Sequence, residues 1–450
     1  MKNNKVLVII GIIFLNLLVV YMVGQSLLGK GNKYDETLVQ ARTYADEELC
    51  SKSLAAYREA TALEDSVELR MEMLKVYHQG LESGEFTQLY SFYSEITDMV
   101  ETYREDIRVY EKACELFMEY EAYEECAEIL TLAKDFHVTS KKLEKVRSNI
   151  RYKYTKNFCM YSEVFPECNG MYTVLDDDSY TYLDAEASSA IDKGYIYASS
   201  FSQGYAFVKI ADSEETEKSF VINQSGQRQF YIEGAVASSG VGKAQDNEGE
   251  EVLLLACNMG ENYQYYDMNG KKMLGEYVFA GRFRNNIAAV QEAEGEWKLI
   301  DGTGKAITKT VFEDVVLNEF DECAPKGLIF AKKDGKYHLY DMQGKQIGDF
   351  SCDGAKAFVD DYAAFQEGDM WGFVNAEGKV VIESQYEDAK SFSNKMGAVK
   401  IGEQWSFINP SNKIVIEGNY EDVSYLSDKG ICFVKENGYW SYLEMYYIDN

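Results

Sequence analysis

The chain is poor in proline and histidine, with three residues of each among 450. The histidines, His78, His137 and His338, lie far apart in different segments, which disfavours a metal or catalytic centre built from histidine. A Gly-rich phosphate loop, a nucleophile elbow and a Cys-x-x-Cys pair are also absent from the sequence. The sequence therefore predicts a protein that is not an enzyme, with no catalytic residue, no cofactor and no bound metal.

Basic residues are scarce relative to acidic ones. Lysine and arginine total 45 against 75 aspartates and glutamates, so the formal net charge is −30. Repulsion by phosphates disfavours a nucleic-acid partner, and the same argument disfavours anionic lipids. The excess acidity is typical of a soluble surface, and it is also compatible with divalent cations or a basic partner.

Cysteine is present in an odd number and without pairing motifs. The nine cysteines are scattered, and most stand in apolar strand or helix contexts that predict buried thiols. Cys159 and Cys168 are the one close pair in loop-like sequence. A disulfide between them is the alternative to two free thiols.

What the chain has in abundance is an internal repeat. Its template is an aromatic residue, any residue, two apolar residues, Asp or Asn, two further residues and Gly. Four copies are complete and four are degraded, and their starts are 34 to 44 residues apart. A period in this range indicates one supersecondary unit that is stacked or arranged in a ring. The predicted structural repeat positions are Tyr180, Ser219, Tyr263, Trp297, Tyr337, Trp371, Trp405 and Trp440.

Each unit has a simple local logic. The aromatic and apolar residues alternate as a half-buried strand requires, Asp or Asn opens a turn, and Gly closes it with a positive φ. A lysine commonly follows the glycine and starts a second strand. A Tyr-Glu-Asp or Phe-Glu-Asp segment then leads into a strand of small apolar residues. About 34 residues accommodate three strands, whereas a four-stranded WD-type blade takes about 40–45, so the units are predicted to be three-stranded.

These units resemble the WG-repeat family of bacterial proteins, whose units follow the pattern W-G-[FY]-[IV]-[DN]-x-x-G-K and continue into a Y-[DE] segment. The resemblance covers about residues 160–450, although only Trp371-Gly372 keeps the dipeptide that names the family. It implies a repeat-built extracytoplasmic or envelope protein and brings with it no assigned catalytic residue.

Residues 1–33 are predicted to contain a membrane anchor. Residues 6–24 include one polar residue, Asn16, and no charge, which with the following residues is long enough to cross a bilayer. Lys2 and Lys5 precede this stretch and favour a cytoplasmic N-terminus. An uncleaved signal anchor is the first interpretation and a cleaved signal peptide the alternative; either places the rest of the chain outside the cytoplasm.

Residues 34–157 have helical periodicity, no proline and two glycines. Residues 53–63 resemble the second helix of a tetratricopeptide repeat, with Tyr57 and Ala60 at the packing positions. Related helix pairs are predicted at about 66–99 and 103–136, with a terminal helix at 140–153. Three pairs and a cap are about the minimum for such a helical array.

Residues 158–450 are predicted to form a propeller-like ring. Residues 158–179 look like the second half of a unit, and Trp440 to Glu444 look like the first half of another. Two halves that complete one unit suit a closed ring, in which no strand edge stays open. Seven intact units and one split unit predict about eight, and an open hairpin solenoid is the alternative.

Two acidic patterns and the many aromatic residues are candidate ligand sites. Asp176 to Asp178 suggest a calcium site, although a solvated hairpin tip is the simpler interpretation. The Glu-Asp pairs at 313–314, 387–388 and 421–422 recur with the repeat, which favours a structural role over catalysis. Thirty-five tyrosines and four tryptophans permit carbohydrate stacking, but most occupy expected core positions.

Together these patterns predict a single-pass membrane protein with tetratricopeptide-like helices and a WG-repeat β-ring outside the cell. The expected function is non-enzymatic binding or scaffolding through a protein partner at the bacterial cell surface. A glycan- or cell-wall-binding adhesion module is the alternative, and a hydrolase is a third hypothesis. The sequence does not identify ligand-binding residues.

Overall fold

The computed structural model describes residues 31–213 and 216–448, which belong to two compact units divided between Ile150 and Arg151. The fold class predicted from the sequence includes a transmembrane helix, and the structure corrects this element. Within the described residues, no helix is both long enough and apolar enough to span a bilayer. The segment that carries the prediction, residues 6–24, lies outside the described residues.

Within its described residues, the first unit is built of helices. Its helices are α1 (31–46), α2 (Cys50–Leu63), α3 (Val67–Glu82), α4 (Leu89–Thr102), α5 (Ile107–Glu119), α6 (Tyr123–Asp135) and α7 (Lys141–Ile150). Side-chain caps start three of the described helices, because Ser66 accepts a hydrogen bond from the Leu69 N–H, Asp106 accepts one from the Arg108 N–H and Ser140 accepts one from the Leu143 N–H. Tyr57 and Ala60 are buried, as expected of packing positions. The resemblance to tetratricopeptide repeats itself stays a prediction.

The second unit is a β-propeller of eight antiparallel sheets, here called blades 1 to 8 in chain order. The first strands of the blades are β2 (Glu163–Val164), β6 (Tyr197–Ala198), β10 (Ala237–Gln245), β14 (Phe279–Ala280), β17 (Asp314–Val315), β21 (Gly354–Ala355), β25 (Asp388–Ser393) and β29 (Asp422–Val423). The second strands are β3 (Met171–Asp176), β7 (Tyr205–Ser213), β11 (Glu251–Asn258), β15 (Ala288–Ala293), β18 (Leu328–Lys333), β22 (Tyr362–Glu367), β26 (Met396–Ile401) and β30 (Ile431–Glu436).

The remaining strands complete the blades. The third strands are β4 (Ser179–Asp184), β8 (Thr216–Asn223), β12 (Tyr263–Asp267), β16 (Glu296–Ile300), β19 (Lys336–Asp341), β23 (Met370–Asn375), β27 (Gln404–Ile408) and β31 (Tyr439–Met445). The fourth strands are β5 (Ser189–Tyr195), β9 (Arg228–Tyr231), β13 (Lys272–Tyr277), β20 (Gln346–Cys352), β24 (Val380–Tyr386), β28 (Ile414–Tyr420) and, for blade 8, β1 (Tyr154–Tyr161). In blade 4 two isolated bridges, Trp297 to Phe312 and Ile300 to Ala306, take the place of a fourth strand.

The predicted three-stranded unit is wrong, because seven of the eight described sheets have four strands. The sequence pattern missed the first strand, which begins at the Asp of the Tyr-Glu-Asp or Phe-Glu-Asp segment in blades 5, 7 and 8 and is only two residues long in most blades. Two residues are too few to show the alternation that predicts a strand. The repeat also begins at the third strand of a blade, so each sequence unit spans two successive blades.

The second and fourth strands differ sharply in burial. The second strand β26 is buried over its first four residues, whereas the fourth strand β5 is mostly exposed. The fourth strands therefore form the rim of the propeller. The first strands face its central channel, as in propellers generally.

The core of the propeller is divided into eight hydrophobic clusters, one between each pair of successive blades. For example, Phe373 and Ile382 of blade 6 pack with Phe392 and Val399 of blade 7. The equivalent cluster between blades 8 and 1 includes Phe433 beside Tyr172, and it closes the circle. A closed ring of clusters excludes the open solenoid.

The strand that closes the ring is β1, and the detail of the predicted closure is wrong. Tyr154 pairs with Met445 and Tyr161 pairs with Trp440, so β1 is the outer strand of blade 8. Residues 165–174 instead belong to blade 1, which is complete in itself. The closing strand includes residues on both sides of the predicted boundary at 157–158. Other fourth strands follow the third strand of their blade through a hairpin turn, which often contains Gly-Lys. β1 has no such turn before it, because it comes from the N-terminal end of the propeller sequence.

Candidate binding site at the centre of the propeller

The predicted repeat positions occupy equivalent places in the fold. All eight lie on the third strands of the blades. The Asp or Asn that follows accepts hydrogen bonds from two backbone N–H groups in the turn, as Asn375 does from Glu377 and Lys379. Gly378 then has a φ of 76°, which an L side chain rarely adopts. These residues build the blades and do not converge on one site.

The recurring Glu-Asp pairs are structural in the same sense. Glu387 accepts hydrogen bonds from the N–H groups of Gly402 and Glu403, so it holds the turn between the second and third strands of blade 7. Its neighbour Asp388 lies 2.7 Å from the Nζ of Lys356 in blade 6. Both carboxylates are thus used in holding turns and neighbouring blades together.

The other candidates from the sequence lie apart from one another. Asp177 has a φ of 50° in the turn between β3 and β4, as expected of a hairpin tip. Within the part of the chain that the structure describes, no group of three metal-binding side chains is close enough to hold an ion. All nine cysteines are free thiols, so Cys159 and Cys168 do not form a disulfide.

A concave site lies instead at one end of the central channel, where the loops between first and second strands converge. We call this end the mouth. Two adjoining cavities of about 290 and 250 Å3 occupy it. Every blade supplies at least one lining residue, and one from each blade in order is Glu167, Gln203, Lys243, Arg284, Glu322, Asp360, Ser393 and Asp428.

The loop of blade 5, residues 316–327, enters the channel and shapes the mouth. Asn318 organises it by accepting hydrogen bonds from the N–H groups of Phe320 and Glu322. The carbonyl of Asp321, a residue with φ of 59°, then accepts a hydrogen bond from the Arg282 N–H of blade 4. The loop tip is thereby fixed against the neighbouring blade.

A buried ion-pair network anchors this loop. Glu322 is about 4% exposed and lies 3.1 Å from the guanidinium of Arg282 and 3.1 Å from that of Arg284. Arg282 is 1% exposed, and its guanidinium also lies 5.1 Å from the Phe320 ring centroid and 3.6 Å from the Cys168 Sγ. Removing one partner of such a pair would leave a buried charge uncompensated, which is costly.

The larger mouth cavity is predominantly acidic. Its charged lining residues are the carboxylates Glu167, Glu319, Glu322, Asp360 and Asp428 and the cations Arg284 and Lys326. Burial raises the pKa of Glu167, and the charge of Asp428 raises it further, against a hydrogen bond from the Gly170 N–H. Burial likewise raises the pKa of Tyr425 well above its ordinary value, and Glu319 adds to this rise.

A chain of polar contacts links four blades around the mouth at intervals of 34 residues. Lys326 Nζ lies 2.9 Å from Asp360 Oδ1, and Asp360 Oδ2 accepts a hydrogen bond from the Asn394 N–H at 2.7 Å. The Asn394 side chain in turn donates to Asp428. Asp360 and Asp428 are therefore held in place by neighbouring blades.

Sequence reasoning missed the mouth because its residues lie in the loops that vary most between repeats. Two weak signals could have pointed to it. Pro166 and Pro325, two of the three prolines, line the larger cavity. The interval between Trp297 and Tyr337 is 40 residues, and the 34-residue intervals that follow indicate an insertion there.

Comparison with known proteins supports the repeat assignment in part. The family model described as "WG containing repeat" matches residues 371–405 and 405–440, which confirms two of the predicted WG units. No curated protein matches the chain.

Several solved structures are similar to the chain at low identity and low TM-score. BamB from Moraxella catarrhalis is 11% identical with a TM-score of 0.43, over 65% of this chain and 99% of that one. Hsv2 from Kluyveromyces lactis is 9% identical with a TM-score of 0.37, over 64% of this chain and 98% of that one. Likenesses this distant carry no argument about function.

Proposed function

We propose that this chain is a non-enzymatic binding protein that holds a basic segment of a protein partner at the propeller mouth. The observation that carries the proposal is the composition of the larger mouth cavity, in which five carboxylates face two cationic side chains. Charge complementarity of this kind steers association and selects partners. The overall charge of −30 acts in the same direction over a longer range.

The ionised form of Glu167 is unfavourable for the stability of the fold, and this supports a functional role for the mouth. Its raised pKa means that the ionised form is less favourable in the folded protein than in water. The repeat pattern does not include a carboxylate at this position. Groups kept at such a cost are concentrated at functional sites.

Protein is favoured over glycan as the partner by the distribution of aromatic residues. Among the described residues of the propeller, Phe158, Tyr231 and Tyr439 are the aromatic side chains with large exposure, at 85%, 46% and 51%. They lie on blades 8 and 2, on strands β1, β9 and β31, and do not form a stacking platform at the mouth. A second binding surface on the helical unit, a location outside the cytoplasm and the absence of catalysis all stay predictions.

The proposal is tested on an array of decapeptides that vary in their content of lysine and arginine. The full-length protein is compared with a mouth variant, Glu319→Gln with Asp428→Asn, and with a rim variant, Glu377→Gln with Asp369→Asn. Both variants lose two carboxylates that are exposed, so they have equal net charge. We expect a subset of basic peptides to bind the wild type and the rim variant and to be lost from the mouth variant.

Two results would contradict the proposal. One is the absence of any basic peptide that binds the wild type. The other is equal loss in both variants, which would show that binding follows net charge and not the mouth.

A further inference from the structure

A third cavity in the channel, of about 180 Å3, lies beside the loop tip and is chemically unlike the mouth. It shares Glu319 and Phe320 with the larger mouth cavity, so the loop tip separates the two. Its other walls come from blades 1 to 4. We call it the inner cavity, and it is lined further by Phe165, Tyr180, Tyr197, Ser199, Ser239, Arg282 and Asp321, among others.

The polar groups of the inner cavity include both donors and acceptors of hydrogen bonds. Arg282 is 1% exposed, and its Nε meets no hydrogen-bond acceptor among the residues that the structure describes. An unsatisfied buried donor is costly, so it indicates a missing partner at this point. Asp321 supplies carboxylate oxygens, and the hydroxyls of Ser199 and Ser239 complete the polar lining.

The serine hydroxyls are fixed by the backbone. Ser239 Oγ donates to the Ala280 carbonyl at 3.0 Å, and Ser199 Oγ accepts from the Phe207 N–H at 2.9 Å. Each oxygen still has a lone pair to offer a ligand, because a hydroxyl can accept two hydrogen bonds. Burial raises the pKa of Asp321, against the neighbouring Ser239 hydroxyl and the charge of Arg282.

Aromatic rings form the apolar part of the wall. The centroids of Tyr180 and Tyr197 are 6.5 Å apart, and those of Phe165 and Tyr180 are 6.3 Å apart. Tyr197 is tied to the scaffold, because its hydroxyl donates to the Ser238 carbonyl at 3.2 Å. Phe320 closes the cavity from the side of the loop, under the guanidinium of Arg282.

This combination restricts the chemistry of an occupant. A free anion would face Glu319 and Asp321, and a free cation would face Arg282, so neither is favoured. A purely apolar molecule would leave the Arg282 donor unsatisfied. The favoured occupant is neutral, offers several hydroxyls as donors and acceptors, and has an apolar face for the rings. A volume of about 180 Å3 equals about six water molecules at about 30 Å3 each, which is enough for one sugar ring.

We propose that the inner cavity is a binding site for a single neutral sugar ring, held by Arg282, Asp321 and the serine hydroxyls against the aromatic wall. The site is separate from the proposed peptide site at the mouth. It shares with that site only the loop of blade 5.

Saturation-transfer NMR on the full-length protein tests the proposal, with D-glucose, D-galactose, D-mannose and N-acetyl-D-glucosamine as probes. We expect at least one sugar to receive saturation at its ring protons, because aromatic protons line the cavity. Arg282→Lys keeps a cation beside Glu322 but removes the Nε donor, and we expect it to weaken binding by about 10-fold or more. Circular dichroism and intrinsic fluorescence establish that this variant is folded.

A pair of serine variants separates binding from scaffold effects. Ser239→Ala removes a hydroxyl that lines the inner cavity. Ser391→Ala removes a buried hydroxyl that makes the same kind of bond, to the Ala357 carbonyl at 2.8 Å, between blades 6 and 7 and away from the cavity. Only Ser239→Ala should weaken sugar binding.

Three outcomes would overturn the proposal. The first is no saturation of any probe, which is the behaviour of a cavity that holds solvent only. The second is saturation that Arg282→Lys leaves unchanged, and the third is equal weakening by the two serine variants. Failure of the basic-peptide test at the mouth would not affect this result, because the sugar probes are measured on the wild type, Arg282→Lys and the serine variants, in all of which Glu319 and Asp428 are unchanged.

Discussion

The Nζ of Lys390 lies 2.8 Å from the Oδ1 of Asp422, and this contact joins blade 7 to blade 8. The same Nζ donates to the Val423 carbonyl at 2.6 Å and lies 5.3 Å from the centroid of the Trp405 ring. Lys356, Asp388 and Trp371 repeat the arrangement between blades 6 and 7. In both places one lysine contacts the aromatic residue that starts a repeat unit and the Asp of the Glu-Asp pair in the next blade. This shared contact explains why the two residues recur together.

Replacing Lys390 by methionine should destabilise the propeller modestly. Methionine keeps the apolar stem over Trp405 but loses the ion pair, the hydrogen bond and the cation–π contact. Asp422 is 42% exposed, so the ion pair counts for little, and the total loss is expected to be about 1–2 kcal/mol. Urea denaturation followed by tryptophan fluorescence measures it, since all four tryptophans belong to the propeller.

The matched control is Lys413→Met, which removes an exposed lysine in the turn of blade 7. Its stability should change by less than about 0.5 kcal/mol. Equal changes in the free energy of unfolding for the two variants would show that the contacts of Lys390 between blades 7 and 8 add nothing measurable to stability.

Removing residues 440–450 should disrupt the whole propeller. The deletion removes β31, which lies between β30 and β1 in blade 8, so the closing strand loses its partner. A ring depends on closure, whereas a linear repeat array loses only its end. Hydrogen exchange should therefore accelerate in blades 1 to 7 as well as in blade 8.

A shorter truncation serves as the control, with the chain ended after Ile448. It keeps the paired residues from Trp440 to Met445 and should leave exchange in the blades unchanged. If the longer deletion accelerates exchange only in the rest of blade 8, residues 154–161 and 420–439, closure does not control the stability of the ring.

The sequence predicted the parts of the fold that depend on local chemistry. The Asp or Asn turn, the glycine with positive φ and the eightfold recurrence all follow from residues close together in the chain, and the structure contains each of them. The two-residue first strands were missed because two residues are too few to show the alternation that predicts a strand. The closing strand was misplaced because its partner β31 lies about 280 residues away.

The candidate site could not be predicted from the sequence, for a different reason. The mouth brings together loop residues such as Glu167 and Asp428, which are 261 positions apart, and the repeat template includes neither of them. In the sequence, nothing distinguishes Arg282 and Glu322 from residues that form an ion pair on the surface. Their burial appears only when the loop of blade 5 enters the channel.

Two glycines of the repeat should differ in their sensitivity to substitution. Gly378 and Gly402 have φ of 76° and 58°, so alanine is strained at either position and should cost about 1 kcal/mol. A Cβ at Gly402 would meet no atom within 4 Å, whereas one at Gly378 would lie 3.0 Å from the Phe350 Cβ. Gly378→Ala should therefore lower the free energy of unfolding more than Gly402→Ala, as measured by urea denaturation. Equal losses would mean that conformation alone decides the cost.

Glu167→Gln should stabilise the propeller at neutral pH and have little effect in acid. The ordinary pKa of a glutamate here is 4.5, and burial raises that of Glu167 in the folded protein. Below the ordinary value the carboxyl is protonated in both states and costs nothing. As the pH rises through the window up to the raised pKa, the unfolded chain ionises first, so wild-type stability falls until the folded pKa is passed. Glutamine does not titrate and can still accept the Gly170 hydrogen bond, so the stability of the variant does not decrease over this pH window.

Glu387→Gln provides a control of opposite sign. The N–H groups of Glu403 and Gly402 lower the pKa of Glu387, so its carboxylate contributes stability above the ordinary value that is lost in acid. Urea denaturation at several pH values from about 3 to 7.5 should show Glu167→Gln gaining on the wild type as the pH rises above the ordinary value, while Glu387→Gln loses relative to the wild type as the pH rises towards that value and keeps a constant deficit above it. Parallel curves for Glu167→Gln and the wild type would contradict the argument. If Glu167→Gln is more stable and also binds basic peptides less well, the carboxylate is retained at the mouth for binding, because its contribution to the fold is unfavourable.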